Sequence, residues 1–205
     1  MKIILLFVLS VMIVFCSCAT HHPIRPSLPA VVTLNKNAGR GNWIIVKLKL
    51  AGKRDLPFVV DTGAPFTDLS KSLEPKLGKR LGTGTIWNFG VKHSADGYLT
   101  PKLYLGTTAL LTGTNFVIAS DFTELSTESG QRIMGILGMD VLKNYCIQLD
   151  FKARTIRFLD DRSAERGNWG KAFRLTDIGD GSMAVDENLA GVRHSASLGG
   201  YRLQL

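Results

Sequence analysis

The sequence predicts an all-β fold, and three observations support that prediction. Glycine supplies 21 of the 205 residues, and together with many Thr, Val and Ile residues this favours a turn-rich β protein. Apolar and basic residues alternate over residues 46–50, which is the period of a strand with one buried face. Residues 146–159 read as a hairpin with its turn at residues 152–154. Because 45% of the chain is hydrophobic and 20% is charged, its length suits one folded domain with appendages.

The N-terminus predicts export. Residues 1–17 combine Lys2 with an apolar run over residues 3–15, which is typical of a secretory signal and short for a membrane-spanning helix. Ser17-Cys18 follows shortly after the run, and a small residue before a cysteine resembles the bacterial lipoprotein signal. We therefore predict lipidation of Cys18, a proline-containing linker over residues 18–30, and a membrane-anchored lipoprotein facing the periplasm or the cell exterior. An ordinary cleaved signal and an uncleaved anchor are the alternatives.

Composition argues against several function classes. The net charge is +8, but the basic residues are scattered without a run of five, so we expect a solvated basic surface and no nucleic-acid partner. The three cysteines are Cys16, Cys18 and Cys146, and Cys146 lies in an apolar segment typical of a core residue. No CxxC, HExxH or GxSxG motif occurs, and the four histidines form no metal-binding spacing. We therefore predict no metal.

The segment LPFVVDTGAPFTDLS places Asp61 directly after four residues that are apolar or proline. An ionised carboxylate is costly to desolvate at the end of a buried strand, so chains keep one there when it is paired or used. Gly63 permits a tight turn whose amides can hydrogen-bond the carboxylate, and the Thr62 hydroxyl can bond backbone across a symmetric contact. We therefore predict an acid that is held rigidly and faces a cleft.

Two segments together resemble retropepsin-type aspartic proteases. FVVDTGAPFTDL is similar to their active-site motif, and IMGILGMDVL, residues 133–142, is similar to their Ile-Leu-Gly strand and the short helix that follows. The resemblance covers roughly residues 31–159. It implies a retropepsin-like single-lobe acid protease β-barrel with one short helix. It also implies a catalytic Asp61 supported by Thr62, Gly63 and Ala64.

The same resemblance implies an aspartic endopeptidase that hydrolyses a peptide or protein substrate with a water activated between two aspartates. The chain holds one Asp-Thr-Gly, so the second aspartate is expected from another copy in a homodimer. No cofactor is implied. The implied cleft and flap candidates are Trp87 and Phe89, in the glycine-rich residues 81–97, with Ile136, Leu137 and Gly138. The alternative is a catalytically inactive peptide-binding or structural protein on the same fold.

The remaining features predict structural roles. We expect Asp68 to cap a short turn, Asp140 to cap a helix that starts near Val141, and residues 121–132 to form a polar loop. Residues 160–205 form a C-terminal extension. Its LAGVR repeats the pattern of LAGKR before Asp61, so an incomplete second lobe is one interpretation and an ordinary β-rich or loosely ordered extension is the other.

Overall fold

The computed structural model describes residues 28–51, 54–88, 91–160, 175–177, 183–189, 192–197 and 202–204. The predicted signal at residues 1–17, most of the linker, Cys18 and Phe89 lie outside the described residues. Of the C-terminal extension, residue 160 and the four short segments after it are described.

The all-β prediction is confirmed, because the described residues form sixteen strands and three short helices. The helices are a 3-10 helix (Lys71–Lys76), α1 (Thr123–Ser129) and α2 (Met139–Leu142). The strands, in chain order, are β1 (Ala30–Thr33), β2 (Ile45–Leu50), β3 (Asp55–Val60), β4 (Asp68–Ser70), β5 (Arg80–Asn88), β6 (Val91–Leu99), β7 (Leu103–Leu105), β8 (Thr108–Ala109), β9 (Phe116–Ser120), β10 (Gly135–Leu137), β11 (Cys146–Asp150), β12 (Thr155–Leu159), β13 (Leu175–Asp177), β14 (Met183–Leu189), β15 (Val192–Ser197) and β16 (Arg202–Gln204).

The short helix α2 follows Gly138, where the sequence predicts one. The polar segment at residues 121–132, predicted as a loop, instead contains α1. A turn before the helix and a glycine after it explain the difference. The Asp121 carboxylate accepts a hydrogen bond from the Thr123 amide (2.9 Å), and Gly130 ends the helix in the left-handed region (φ 67°). Within the described residues, no helix combines the length and the apolar character that crossing a membrane requires.

A ten-stranded sheet carries the segment around Asp61, in the order β16-β5-β6-β9-β4-β10-β3-β2-β7-β8. Strand β2 alternates as predicted, with Val46, Leu48 and Leu50 buried, and it pairs antiparallel with β3. Strand β10 lies between β3 and β4, parallel to β3 and antiparallel to β4. The chain leaving β3 must therefore pass over the end of β10 before it enters β4.

Strands β5 and β6 form a long hairpin at the position of the predicted flap. Its base is closed by an ion pair in which the Arg80 guanidinium donates to both carboxylate oxygens of Asp96 (2.7 and 3.1 Å). The C-terminal strand β16 pairs antiparallel with β5, so that Leu203 lies opposite Ile86. Strands β13, β14 and β15 form a separate antiparallel sheet. The described part of the extension is therefore β-structured.

The smaller sheet β1-β12-β11 closes the domain on the side of the predicted terminal hairpin. Strands β11 and β12 pair antiparallel around the turn that the sequence places at residues 152–154. Phe158 is fully buried, and its ring meets the Tyr145 ring edge-on at 5.4 Å. The Tyr145 hydroxyl accepts a hydrogen bond from the Leu111 amide (2.6 Å). This contact joins the smaller sheet to the chain between β8 and β9.

Candidate active site

Asp61 is the first residue after β3, and its side chain is half-buried. The Gly63 amide donates a hydrogen bond to Asp61 Oδ1 (2.8 Å), as the tight turn predicts. Gly63 and Ala64 are buried beneath the turn, whereas Thr62 is exposed at its outer side. The carboxyl group is therefore fixed by its own turn and remains accessible from the surface of the chain.

Backbone hydrogen bonds hold this turn on β10 and α2. The Asp61 amide donates to the Leu137 carbonyl (3.1 Å), and the Met139 amide donates to the Ala64 carbonyl (2.7 Å). The Asp140 amide donates to the Pro65 carbonyl (3.1 Å). The first amides of a helix lack partners within the helix, and here the turn supplies the acceptors. The structure thus brings the Asp-Thr-Gly-Ala segment and the Ile-Leu-Gly segment into direct contact.

Gly138 lies where that contact is tightest. A Cβ atom at this position would meet the carbonyl oxygen of Ala64 at 2.9 Å and the backbone of Phe66 at an even shorter distance. Both neighbours are backbone, so neither can rotate away. The glycine is therefore required by close approach, and its backbone is otherwise ordinary for an extended residue (φ −94°).

Asp140 is buried inside the site. The prediction that it caps α2 is therefore wrong. Gly138 occupies the cap position, and the Asp140 carboxyl accepts hydrogen bonds from Thr67 Oγ1 (2.7 Å) and Thr114 Oγ1 (3.1 Å). Thr67 Oγ1 also accepts from the Gly138 amide (3.2 Å). Burial raises the pKa of Asp140, and the two threonine hydroxyls oppose that rise. This network ties β4 to α2 behind the Asp61 turn.

Asp68 is also buried, in β4, and so the prediction of a turn-capping role is wrong. Ser70 fills that role instead, since its hydroxyl accepts from the Ser72 amide (3.3 Å) at the start of the 3-10 helix. Burial raises the pKa of Asp68 to about 7, although the Ser120 hydroxyl, the Leu69 amide and Lys71 partly oppose the rise. Asp68 Oδ1 and Ser120 Oγ are buried without a hydrogen bond of good geometry. Side chains alternate between the two faces of a strand, so the sequence could have placed Asp68 on the face opposite its neighbours Thr67 and Leu69.

The other predicted cleft residues lie in different elements, and only some of them are close to the Asp61 turn. Ile136 and Leu137 are buried in β10, and Ile136 shares a small cavity with Ala64 beside the turn. Trp87 belongs to β5 in the hairpin. Two larger surface depressions, of about 580 and 800 Å³, lie beside the 3-10 helix, and Asp61 lines neither of them. Among the described residues, no group of three His, Cys, Asp or Glu side chains is arranged to hold a metal ion.

No family model and no curated protein matches the chain. A search of solved structures finds similarity to the crystal structure of a retropepsin-like aspartic protease from Rickettsia conorii. The two share 16% sequence identity with a TM-score of 0.38, over 63% of this chain and 88% of that chain. This similarity is distant.

We predict that Gly138→Ala destabilises the protein by about 2 kcal/mol or more, because its Cβ would press against backbone of the Asp61 turn. Gly84→Ala in β5 is the matched control, since nothing lies within 4 Å of a Cβ there. Urea unfolding monitored by tryptophan fluorescence measures both variants. Equal stability of the two variants would contradict the close packing of Gly138.

We predict that the free energy of unfolding falls as the pH rises from about 4 to about 7. Folded Asp68 keeps its proton up to a pKa of about 7, whereas the unfolded chain releases it near the ordinary pKa of an aspartate, 3.8. Between these values the unfolded state binds fewer protons, so each pH unit costs up to about 1.4 kcal/mol. Asp140 acts in the same direction.

Asp68→Asn is the test of this pH dependence, because it removes the titrating group and nearly preserves its shape. We expect the difference in unfolding free energy between pH 4.5 and pH 7.5 to shrink in this variant. Asp55→Asn, which replaces an exposed carboxylate at the start of β3, is the control. A pH dependence that is identical in the wild type and in Asp68→Asn would show that Asp68 does not titrate in this range.

Proposed function

We propose that the protein is a retropepsin-like aspartic endopeptidase whose active site forms between two copies of the chain. The observation that carries this proposal is the geometry of Asp61. Its carboxyl group is held by the Gly63 amide in a turn that β10 and α2 fix through backbone hydrogen bonds. A group held in this way is positioned before substrate arrives, which is what acid–base catalysis requires.

One aspartate is not sufficient for the proposed chemistry. The reaction needs a carboxylate that takes a proton from water and a carboxylic acid that gives a proton to the scissile carbonyl oxygen. Two acids at contact distance cannot both ionise, so one proton is shared and the two roles separate. The full sequence contains a single Asp-Thr-Gly, and the turn around Asp61 lies at the surface with Thr62 exposed. These features support a second copy as the source of the second aspartate.

The proposed reaction begins with a water molecule between the two Asp61 carboxyls. The ionised carboxyl removes its proton while the water oxygen bonds to the carbonyl carbon of the peptide. The protonated carboxyl donates its proton to the carbonyl oxygen, which gives a tetrahedral intermediate. The carboxyl that took the water proton then gives it to the peptide nitrogen, and the C–N bond breaks. A hydroxyl of the intermediate loses its proton to the other carboxyl as the C=O bond of the product forms, so the dyad again holds one proton. The β5–β6 hairpin is the proposed cover over the bound peptide.

We further propose that the protein is exported and anchored by lipid at Cys18. The support is the sequence pattern of residues 1–18, in which an apolar run is followed by Ser17-Cys18. The linker at residues 18–30 would separate the anchor from the domain. Peptide-bond hydrolysis would then take place outside the cytoplasm, against peptides or proteins within reach of the membrane.

We predict that Asp61→Asn reduces peptide cleavage on the order of 10³-fold or more, because an amide cannot act as the base. The unfolding midpoint should stay close to that of the wild type, since Asn can still accept the Gly63 hydrogen bond. Asp55→Asn, an exposed acid at the start of the same strand, is the control. A peptide library cleaved equally by the wild type and Asp61→Asn would contradict the catalytic role. Peptide binding without cleavage by the wild type would favour the inactive binding protein.

We predict that Asp61→Asn chains inhibit wild-type chains when the two are mixed and allowed to exchange. A heterodimer holds one intact Asp61, so activity should follow the fraction of wild-type homodimers. Sedimentation velocity at the assay concentration should show a dimer. A strict monomer that cleaves, or activity unchanged by added Asp61→Asn protein, would contradict a shared site.

We predict that wild-type protein produced in a bacterial host partitions with membranes and that Cys18→Ser moves it to the soluble exported fraction. Cys16→Ser is the control, because Cys16 precedes the proposed cleavage site. Metabolic labelling with a fatty-acid analogue measures the modification directly. Labelling that persists in Cys18→Ser would exclude Cys18 as the lipidated residue.

A further inference from the structure

A small cavity lies directly beside the Asp61 turn and contains an unsatisfied acid. It is lined by Ala64, Phe66, Asp68, Ile118 and Ile136, and it has room for the centre of about one water molecule, about 10 Å³. Ala64 belongs to the turn itself, since its amide approaches the Asp61 carbonyl (3.4 Å). Apart from Asp68, every lining residue is apolar. The cavity therefore places one polar group next to the proposed catalytic centre.

The direction of Asp68 follows from the alternation of side chains along the strands. Thr67, just before β4, and Leu69, within it, face the interior, where Thr67 bonds Asp140 and Leu69 joins the main core. Asp68 faces the other side, together with Ile118 of the neighbouring strand β9. Ile118 packs there in a cluster with Ile86 of the β5–β6 hairpin. Asp68 thus lies on the face of the sheet that the hairpin covers.

The polar atoms on this face lack partners. Asp68 is 6% exposed, the Ser120 hydroxyl approaches it, and neither Asp68 Oδ1 nor Ser120 Oγ makes a hydrogen bond of good geometry among the described residues. A buried polar atom without a partner costs on the order of 1–3 kcal/mol, so native structures rarely keep one. Asp68 lines the cavity and the Ser120 hydroxyl lies beside it, so a polar group that enters the cavity from outside the chain would complete their hydrogen bonds.

We propose that Asp68 and Ser120 form a polar subsite that binds a short hydroxyl- or carboxamide-bearing side chain of the peptide substrate, such as Thr, Ser or Asn. This inference rests on the proposed function and adds the chemistry of one substrate position. The size of the cavity favours a small polar tip over an aromatic or long side chain. The apolar lining favours a slender apolar stem behind that tip.

The charge state of Asp68 favours a neutral partner. Burial keeps this carboxyl protonated at acidic and near-neutral pH, since its pKa is about 7. A neutral carboxyl can donate one hydrogen bond and accept another, and a hydroxyl or carboxamide can do the same. A substrate with an apolar side chain of equal shape would leave the polar atoms of the subsite unpaired, which is the basis of strong discrimination.

Matched peptides test the subsite. Each position on either side of the scissile bond is varied as a Thr/Val pair and an Asn/Leu pair, and kcat/KM is measured for wild type, Asp68→Val and Ser120→Ala. We expect one position at which wild type prefers Thr over Val by at least about tenfold. At that position Asp68→Val should lose or invert the preference and Ser120→Ala should weaken it. Asp121→Asn is the control that should keep the wild-type ratio.

A second measurement separates this inference from the proposed activity. Dissociation constants for the same peptide pairs are measured on Asp61→Asn protein with and without Asp68→Val. If wild type and Asp68→Val both cleave and show identical Thr/Val ratios at every position, the subsite is wrong and the proposed protease activity stands. A binding preference that depends on Asp68, without any cleavage by wild type, would overturn the protease and support the subsite. Absence of binding to every peptide would overturn both.

Asp68→Asn is a second variant that tests the subsite if Asp68→Val does not fold. It keeps polar atoms at the same position, so the preference for Thr over Val should persist even as the pH dependence of stability is lost. If Asp68→Asn and Asp68→Val change stability and leave the peptide preference unchanged, Asp68 serves the fold alone and the proposal is wrong.

Discussion

The insertion of β10 between β3 and β4 is the constraint on which the rest of the structure depends. It forces the chain from Asp61 to Thr67 to cross the end of a strand that arrives much later in the sequence. The crossing is stable because the Met139 and Asp140 amides, at the start of α2, donate to the Ala64 and Pro65 carbonyls of the turn. Removing either partner would leave backbone polar groups unpaired in a buried place, which is costly. The site is therefore a product of long-range pairing and cannot form from the Asp-Thr-Gly segment alone.

The same insertion divides the acids of the region into different environments. Asp61 stays at the surface end of the turn with one oxygen held by Gly63. Asp140 is turned inward and receives two threonine hydroxyls, so its burial is compensated. Asp68 is turned to the opposite face of β4, where Oδ1 receives no such hydrogen bond. Three carboxyls within one small region thus differ in solvation and hydrogen bonding because of the strand face on which each lies.

Sequence patterns correctly predicted the elements that are marked by local signals, such as alternating side chains or a recognisable turn. Alternation at residues 46–50 predicted β2, and the turn at residues 152–154 predicted the β11–β12 hairpin, because both signals are local. The predicted capping roles of Asp68 and Asp140 were wrong, because the surroundings of each side chain depend on which distant segment packs beside it. Helix α1 was missed because the Asp121 turn before it and the glycine at its end, Gly130, also fit a polar loop. The partners of Thr67 were beyond prediction, as Asp140 is far along the chain.

The pairing of β16 with β5 has a practical consequence for work on this protein. The last described residues run antiparallel beside the hairpin, with Gln204 opposite Thr85. A sheet edge that is already paired does not offer its amides and carbonyls to another chain. Chain that follows Gln204 therefore starts next to the hairpin, and a tag or reporter inserted directly there would load whatever motion the hairpin makes.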